Sequence, residues 1–290
     1  MKATVLSTIY PAALRYLSDF LRSLASQTDS SFDLVLVNDS VSERELETRL
    51  SGVKFPIHVV ASAGTAAKVR KDGIRFAIDR GYDAIVFADS DDKLGPDRIA
   101  VSKQKLKEQP LFVNELILFG EGVGEPRPML TARYSEGELL GRDSLREFNS
   151  MGLSNTAARA DVLDEVALDL PDELIAFDWS LFAGLLERGH AAVFSAACST
   201  FYRQYADNIA SLVRMEESAV LRGVRVKTLH YRYMSRFGRG YEELAASFTA
   251  LDVKLAADPD FRKWYCARIQ TRLSRSTLWW EPIEDIRKGP

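Results

Sequence analysis

The sequence predicts an α/β fold, a mostly parallel sheet with helices on both faces, prolonged by a helical C-terminal region. Three observations carry this. Over residues 1–110, short apolar runs of strand length alternate with stretches of helical period. Three of those runs end in polar or acidic residues, which in a parallel arrangement fall along one edge of the sheet. From about Ile209 to Trp280 the pattern is almost entirely helical.

The elements follow in order. Ala3–Ile9 is a strand. Ala13–Ala25 is a helix, with Leu14, Leu17, Leu21 and Leu24 on one face. Phe32–Val37 is a strand that runs into Asn38-Asp39-Ser40. Ser42 and Glu45 have capping-box spacing and start a short helix that ends near Leu50. Ile57–Val60 is a strand, and Thr65–Arg80 a helix closed by Gly81. Tyr82–Ala88 is a strand, and Pro96–Glu108 a helix with proline in its first turn. Beyond residue 110, Leu111–Phe119 and Ala191–Tyr202 read as strands and Leu174–Gly189 as a helix. Glu121–Arg127 is a Gly- and Pro-containing loop, and Gly152–Arg159 a strand or turn. The expected division is residues 1–110, 111–208 and 209–290, the last a helical extension.

Composition narrows the function. The 290 residues are 46% hydrophobic and 27% charged, ordinary for a soluble globular protein. A net charge of -3 does not suit a nucleic-acid binder. The charge is uneven: from residue 201 onward 16 Lys and Arg face 11 Asp and Glu. Cys198 and Cys266 are far apart and lack metal-ligand spacing, so free thiols in a reducing cytoplasm are expected. No signal peptide and no apolar run of spanning length is visible.

The chemistry concentrates in "VFADSDDK", Val86–Lys93, where three carboxylates fall within four residues directly after an apolar run. Like charges this close raise one another's pKa, and a divalent cation would compensate them. An acidic turn capping the next helix is the alternative.

Read together, several segments resemble the family-2, inverting glycosyltransferases of the GT-A fold, a Rossmann-like mixed sheet that binds nucleoside-diphospho-sugars. "STIYP" resembles the family's first strand and nucleotide-contacting turn, and "LVLVNDS" the second, whose Asp contacts the nucleobase. "AAKVRKDGIRFAI" resembles the family's A-R-N-x-G-I helix, with Arg70 and Gly73 in place and Lys71 where Asn is usual. "VFADSDD" resembles the DXD motif. "GLSNTAARADVL", "FDWSLFAGLLERG" and "TFYRQYADNIAS" resemble the acceptor-side half. There Phe177 replaces the usual Glu of an acidic pair and Tyr205 the usual His. The resemblance covers about residues 3–211.

It implies sugar transfer from a nucleoside-diphosphate donor, a UDP-sugar in the first instance, to the hydroxyl of a glycan or lipid-linked acceptor. A cofactor, Mn2+ or Mg2+, would be held by Asp91, with Asp89 a second possible ligand nearer the ribose and Asp92 orienting either. Thr8, Tyr10, Asp39, Arg70, Asp89 and Ser90 would bind the nucleotide-sugar. Arg70 is otherwise an exposed helix arginine. Asp178, between Phe177 and Trp179, would be the general base, because an apolar setting raises a carboxyl pKa toward neutrality; otherwise it caps its helix. His230 is a further candidate metal ligand, or else a helix-surface histidine. Arg268, Arg272 and Arg275 share one helical face beside Tyr265, Ile269 and Leu273, suited to peripheral contact with an anionic membrane or to packing with a solvated basic side. A non-catalytic nucleotide- or sugar-binding module is the competing function. A sugar nucleotidyltransferase fits less well, because "IYPAALRYL" lacks the Gly-rich loop expected after the first strand.

Overall fold

The computed structural model describes residues 1–205, 216–273 and 277–285. The first half alternates as expected: β1 (Ala3–Ile9), α1 (Leu17–Ala25), β2 (Phe32–Asp39), α2 (Glu43–Leu50), β3 (Ile57–Ser62), α3 (Ala66–Asp79), β4 (Ala84–Phe87), β5 (Lys93–Leu94) and α4 (Arg98–Glu108). There follow β6 (Leu111–Gly120), β7 (Arg127–Pro128), β8 (Leu139–Leu140), β9 (Thr156–Arg159), α5 (Ala160–Leu163), α6 (Phe177–Glu187) and β10 (Ala192–Gln204). Three helices close the described chain: α7 (Glu217–Met234), α8 (Arg239–Ala257) and α9 (Pro259–Gln270).

Local chemistry sets the boundaries. Ser42 accepts the Glu45 N–H (3.3 Å) and Thr65 the Lys68 N–H (3.2 Å), capping α2 and α3. Gly81, at φ +67°, turns the chain out of α3. The helix expected from Ala13 begins later, because Pro11–Arg15 forms a 3-10 turn first. A Cβ on Gly73 would stand 2.6 Å from Val37 Cγ2, so glycine is what lets α3 lie this close to the sheet.

The sheet runs β3-β2-β1-β4-β9-β6-β10-β5. β1 to β4 pair in parallel with their neighbours among β1–β3, whereas β9 is antiparallel to both β4 and β6. The sheet is therefore mixed, and one continuous ladder joins the two halves. Buried Thr156, Ala157 and Ala158 make β9 a slender strand that fits between two neighbours. Buried Glu115 accepts the N–H groups of Leu116, Met129, Leu130 and Thr131 and so anchors the return after β6.

Apolar side chains pack on both faces. On one, Val5, Leu34, Phe20 and Ile99 join α1 and α4 to the sheet. On the other, Val35, Ile74, Trp179, Tyr231 and Leu251 join α3, α6, α7 and α8 into one core.

The C-terminal region, expected to be almost entirely helical to Trp280, is helical through α7, α8 and α9 and departs from that expectation beyond Gln270. α9 ends at Gln270, and Trp279 forms an isolated antiparallel bridge with Asn149. Arg272 therefore lies beyond the helix and pairs with Glu284 at 2.5 Å. Arg275 and the 206–211 part of "TFYRQYADNIAS" fall outside the described residues. Tyr265 and Ile269 are buried, so that stripe is a packing face. Among the described residues no helix is long and apolar enough to cross a membrane.

Candidate active site

The three polar strand ends meet as expected. Ile9 stands opposite Asn38, and Leu6 opposite Phe87, so β1, β2 and β4 finish on one edge. The Asn38 amide donates to Val41 O and accepts the Val41 N–H, both at 2.9 Å, which builds the turn after β2. Asn38 thus carries the turn, while Asp39, partly exposed, meets only the Ser40 hydroxyl at 3.2 Å among its described contacts. A carboxylate left available this way suits a ligand N–H. Asp39→Ala is expected to weaken nucleotide binding by about 1–3 kcal/mol, the range for a lost charged hydrogen-bond partner; unchanged affinity by calorimetry would leave Asp39 a turn residue.

The acidic segment after β4 is held from several sides. The Ser90 hydroxyl donates to Thr8 O at 2.7 Å, and Ser90 is buried, so this side chain ties two strand ends together rather than facing the cleft. Ser154 donates to Asp89 at 2.7 Å and Tyr205 to Asp91 at 2.6 Å. The Tyr10 and Tyr205 hydroxyls stand 3.3 Å apart. Arg203 binds the segment twice, through its N–H to Asp92 (2.8 Å) and its Nε to Asp91 O (2.7 Å). Asp92 is buried, and its second oxygen has no protein partner.

Burial, reinforced by Asp89, pushes the Asp91 carboxyl up to about 6. Burial, then Asp91 and Asp89, raises Asp92 well above the ordinary carboxylate range. Burial and Asp91 likewise raise the Tyr10 and Tyr205 hydroxyls, which stay protonated and available as donors.

These residues fit a hard divalent cation: their side-chain ligands are carboxylate oxygens, and burial and mutual repulsion disfavour the ionised forms of Asp91 and Asp92 despite Arg203 beside them. No three His, Cys, Asp or Glu side chains among the described residues form a ready metal cluster. Carboxyls raised in the folded chain favour folding while protonated, and that contribution fades as pH rises from about 4 toward about 6. Asp19, Asp29 and Asp72 are shifted down and titrate below this window. In chelator the melting temperature is expected to fall from pH 5 to pH 7, and manganese to raise it more at pH 7 than at pH 5. Equal manganese effects at both pH values would contradict a cation at this cluster.

Arg70 and Asp178 complete the site. A small pocket on the edge is lined by Thr8, Val37, Arg70, Phe87 and Asp89, so Arg70 of α3 faces the acidic segment. Lys71, in the usual Asn place, turns away to Leu170 O and Asp172. Asp178 lies in the first turn of α6, but Ala176 holds the cap position, so Asp178 is not the helix N-cap. Its neighbours Phe177 and Trp179 are fully buried, and the Trp179 indole donates to Leu145 O at 2.7 Å. The Asn149 amide donates to Asp178 Oδ2 at 2.9 Å. Burial raises the Asp178 pKa, the Arg70 charge opposes the rise, and Asp89 adds to it. Asp178, Arg70 and Asp89 therefore act on one another across the sheet edge.

His230 is neither on a helix surface nor beside the acidic segment. It is buried, stacks on Trp179 at 3.9 Å between ring centroids, and meets the Ser180 hydroxyl through Nδ1 at 3.0 Å. Burial and Lys227 hold it neutral, and no carboxylate contributes to its shift. Ser154, Arg203, Tyr205 and Asn149 are site residues to which the sequence assigned no role. Three lie in segments singled out by resemblance, but their roles depend on pairings 65 to 114 positions distant.

No family model matches the sequence, and no curated protein matches it. Solved structures do. The S. aureus TarS 1–349 structure superposes with TM-score 0.61 at 17% identity, over 90% of this chain and 73% of that one. Its complex with UDP-GlcNAc gives TM-score 0.63 at 16% identity, over 86% and 72%. The mannosyltransferase PcManGT from Pyrobaculum calidifontis, in complex with GDP-Man and Mn2+, gives 0.54 at 14% identity, over 96% and 76%.

Proposed function

This chain has the GT-A glycosyltransferase fold, and we propose that it moves a sugar from a nucleoside-diphosphate donor to an acceptor hydroxyl with inversion. The observation that carries the proposal is the acidic segment at the end of β4, whose Asp89 lines one pocket on the sheet edge together with Thr8 and with Arg70 of α3. The complexes of the structural neighbours with UDP-GlcNAc and with GDP-Man and Mn2+ support a nucleotide-sugar donor.

Asp39 reads the nucleobase, Thr8 and Tyr10 line the nucleoside pocket, and Asp89 faces the ribose. Arg70 meets the diphosphate, where a guanidinium gives paired charged hydrogen bonds. Asp91, with Asp89 beside it, would hold Mn2+ or Mg2+, which would supply Lewis-acid neutralisation of the charge on the leaving diphosphate. Asp178 takes the acceptor proton as the acceptor oxygen bonds to the anomeric carbon. The bond from that carbon to the diphosphate breaks with its electron pair leaving on the nucleotide. One displacement with the base on the acceptor side inverts the centre.

A nucleotide-sugar hydrolysis panel with manganese, read as nucleoside diphosphate release, separates this reading from a binding module that kept the fold. Release above the chelator control is expected, and binding without release contradicts it.

The acceptor class proposed is a glycan or lipid-linked glycan reached at a membrane surface. Exposed Lys263 and Trp264 on α9, with Arg268 over the Trp264 ring, offer a basic and aromatic face to anionic lipid. Co-sedimentation with anionic vesicles should be measurable at low salt and fall with added salt; none at low salt leaves α9 a packing helix.

A further inference from the structure

Asp178 is served by more of the molecule than its own helix. Its Oδ2 accepts from Asn149 Nδ2 at 2.9 Å. Asn149 is buried and fixed at three points: its Oδ1 accepts the Met151 N–H at 3.0 Å, its Nδ2 serves Asp178, and its backbone N–H donates to Trp279 O at 3.1 Å. With the amide oxygen tied to Met151, the amide cannot flip, and the nitrogen must face Asp178.

Trp279 belongs to the segment after α9, and that segment is itself anchored. Both carboxylate oxygens of Glu281 accept from Arg133 Nη2, at 2.7 and 2.8 Å. Buried Lys227 of α7 donates both to Ile283 O (2.6 Å) and to Glu147 O (2.7 Å), clasping the 283 and 147 backbones together two residues from Asn149. The Tyr265 hydroxyl of α9 donates to Glu284 O at 2.6 Å.

We propose that Asn149 is the positioning residue of the Asp178 carboxylate and that the C-terminal segment, through Trp279 and the Lys227 clasp, holds Asn149 in register. The helical extension is then a working part of the acceptor side. The proposal rests on the general-base reading of Asp178 only for its effect on turnover. The contact itself is testable without substrate.

The test uses the full chain with carboxyl carbons labelled, and follows the Asp178 titration by 13C NMR. A donor to the charged form holds a carboxyl pKa down. The other charged groups acting on Asp178 are Arg70, from α3, and Asp89, from the β4 end, and both stay in place in the variants. Asn149→Ala is expected to raise the Asp178 pKa. Asn149→Asp, which keeps the shape and the Met151 contact but replaces the donor by a second carboxylate, is expected to raise it further through repulsion, so the uncharged variant carries the test. A purely structural Asn149 leaves the Asp178 titration unchanged in Asn149→Ala. Should Asn149→Ala fail to fold, Asn149→Ser, which adds no charge, is read against wild type in its place.

With UDP-GlcNAc and GDP-mannose as donor probes, Asn149→Asp should lose turnover about tenfold to a hundredfold, the scale of a misplaced catalytic group. Manganese-dependent nucleotide affinity should be unchanged. An Asp178 titration that is the same in wild type and in Asn149→Ala, or in Asn149→Ser where the alanine variant does not fold, overturns the proposal. Full turnover in Asp178→Asn instead overturns the general-base reading and leaves the titration result standing, so the two failures are distinct.

Discussion

Asp91→Asn is expected to abolish transfer while leaving the fold intact. Burial and Asp89 already disfavour the ionised form of Asp91, so removing its charge relieves the folded chain at neutral pH rather than straining it. The isosteric amide keeps an oxygen for the Tyr205 hydroxyl. What disappears is the negative oxygen that, in the proposed function, holds the cation against the diphosphate. Lewis-acid stabilisation is worth several kcal/mol, so turnover should fall by about 10³-fold or more. The melting temperature in chelator should be unchanged or higher, and its rise with manganese should vanish. Full activity of the wild type in chelator, or equal activity of both proteins across a manganese titration, contradicts the metal role of Asp91.

Asp178→Asn should lower kcat by roughly 10²–10⁴-fold, the usual scale for losing a general base. The base acts on the acceptor, so nucleotide and manganese affinity should remain nearly those of the wild type. The setting favours this outcome. Phe177 and Trp179 on either side are buried, burial lifts the carboxyl of half-buried Asp178, and Arg70 limits how far it is lifted. The variant retains an oxygen for Asn149 and leaves the Ala176 cap position untouched, so stability should change little. Lost nucleotide affinity with unchanged kcat would instead place Asp178 in the donor site.

The first half of the fold was legible in the sequence because its signals are local. Ser42 and Thr65 cap their helices within three residues, and Gly81 closes α3 at once. The acidic segment follows β4 directly, so its place at the sheet edge follows from the alternation. Antiparallel β9 was not legible, because strand direction depends on partners β4 and β6, far away in the chain. Residue roles that depend on distant pairings were equally hidden. Tyr205 reaches Asp91 across 114 positions, and Arg203 reaches Asp92 across 111. His230 looked exposed because a helix pattern does not reveal that Trp179 stacks on it. Ser90 looked like a ligand contact because its hydroxyl gives no sign in sequence that Thr8 O takes it up. The stop of α9 at Gln270 and the bridge from Trp279 to Asn149 also had no local signal.

The most direct test of nucleotide-sugar transfer at this edge is a thermal-shift screen of wild type and Asp91→Asn against UDP, GDP, CDP, CMP and dTDP, each with manganese and with chelator. A ligand that binds only the folded chain raises its melting temperature, by about 2.7 kcal/mol of stability at a hundredfold excess over Kd. The expected result is a rise with at least one nucleoside diphosphate that requires manganese and is absent in Asp91→Asn. No rise with any of the five, or the same rise in Asp91→Asn and in chelator, would contradict a metal-assisted nucleotide site at Asp89 and Asp91.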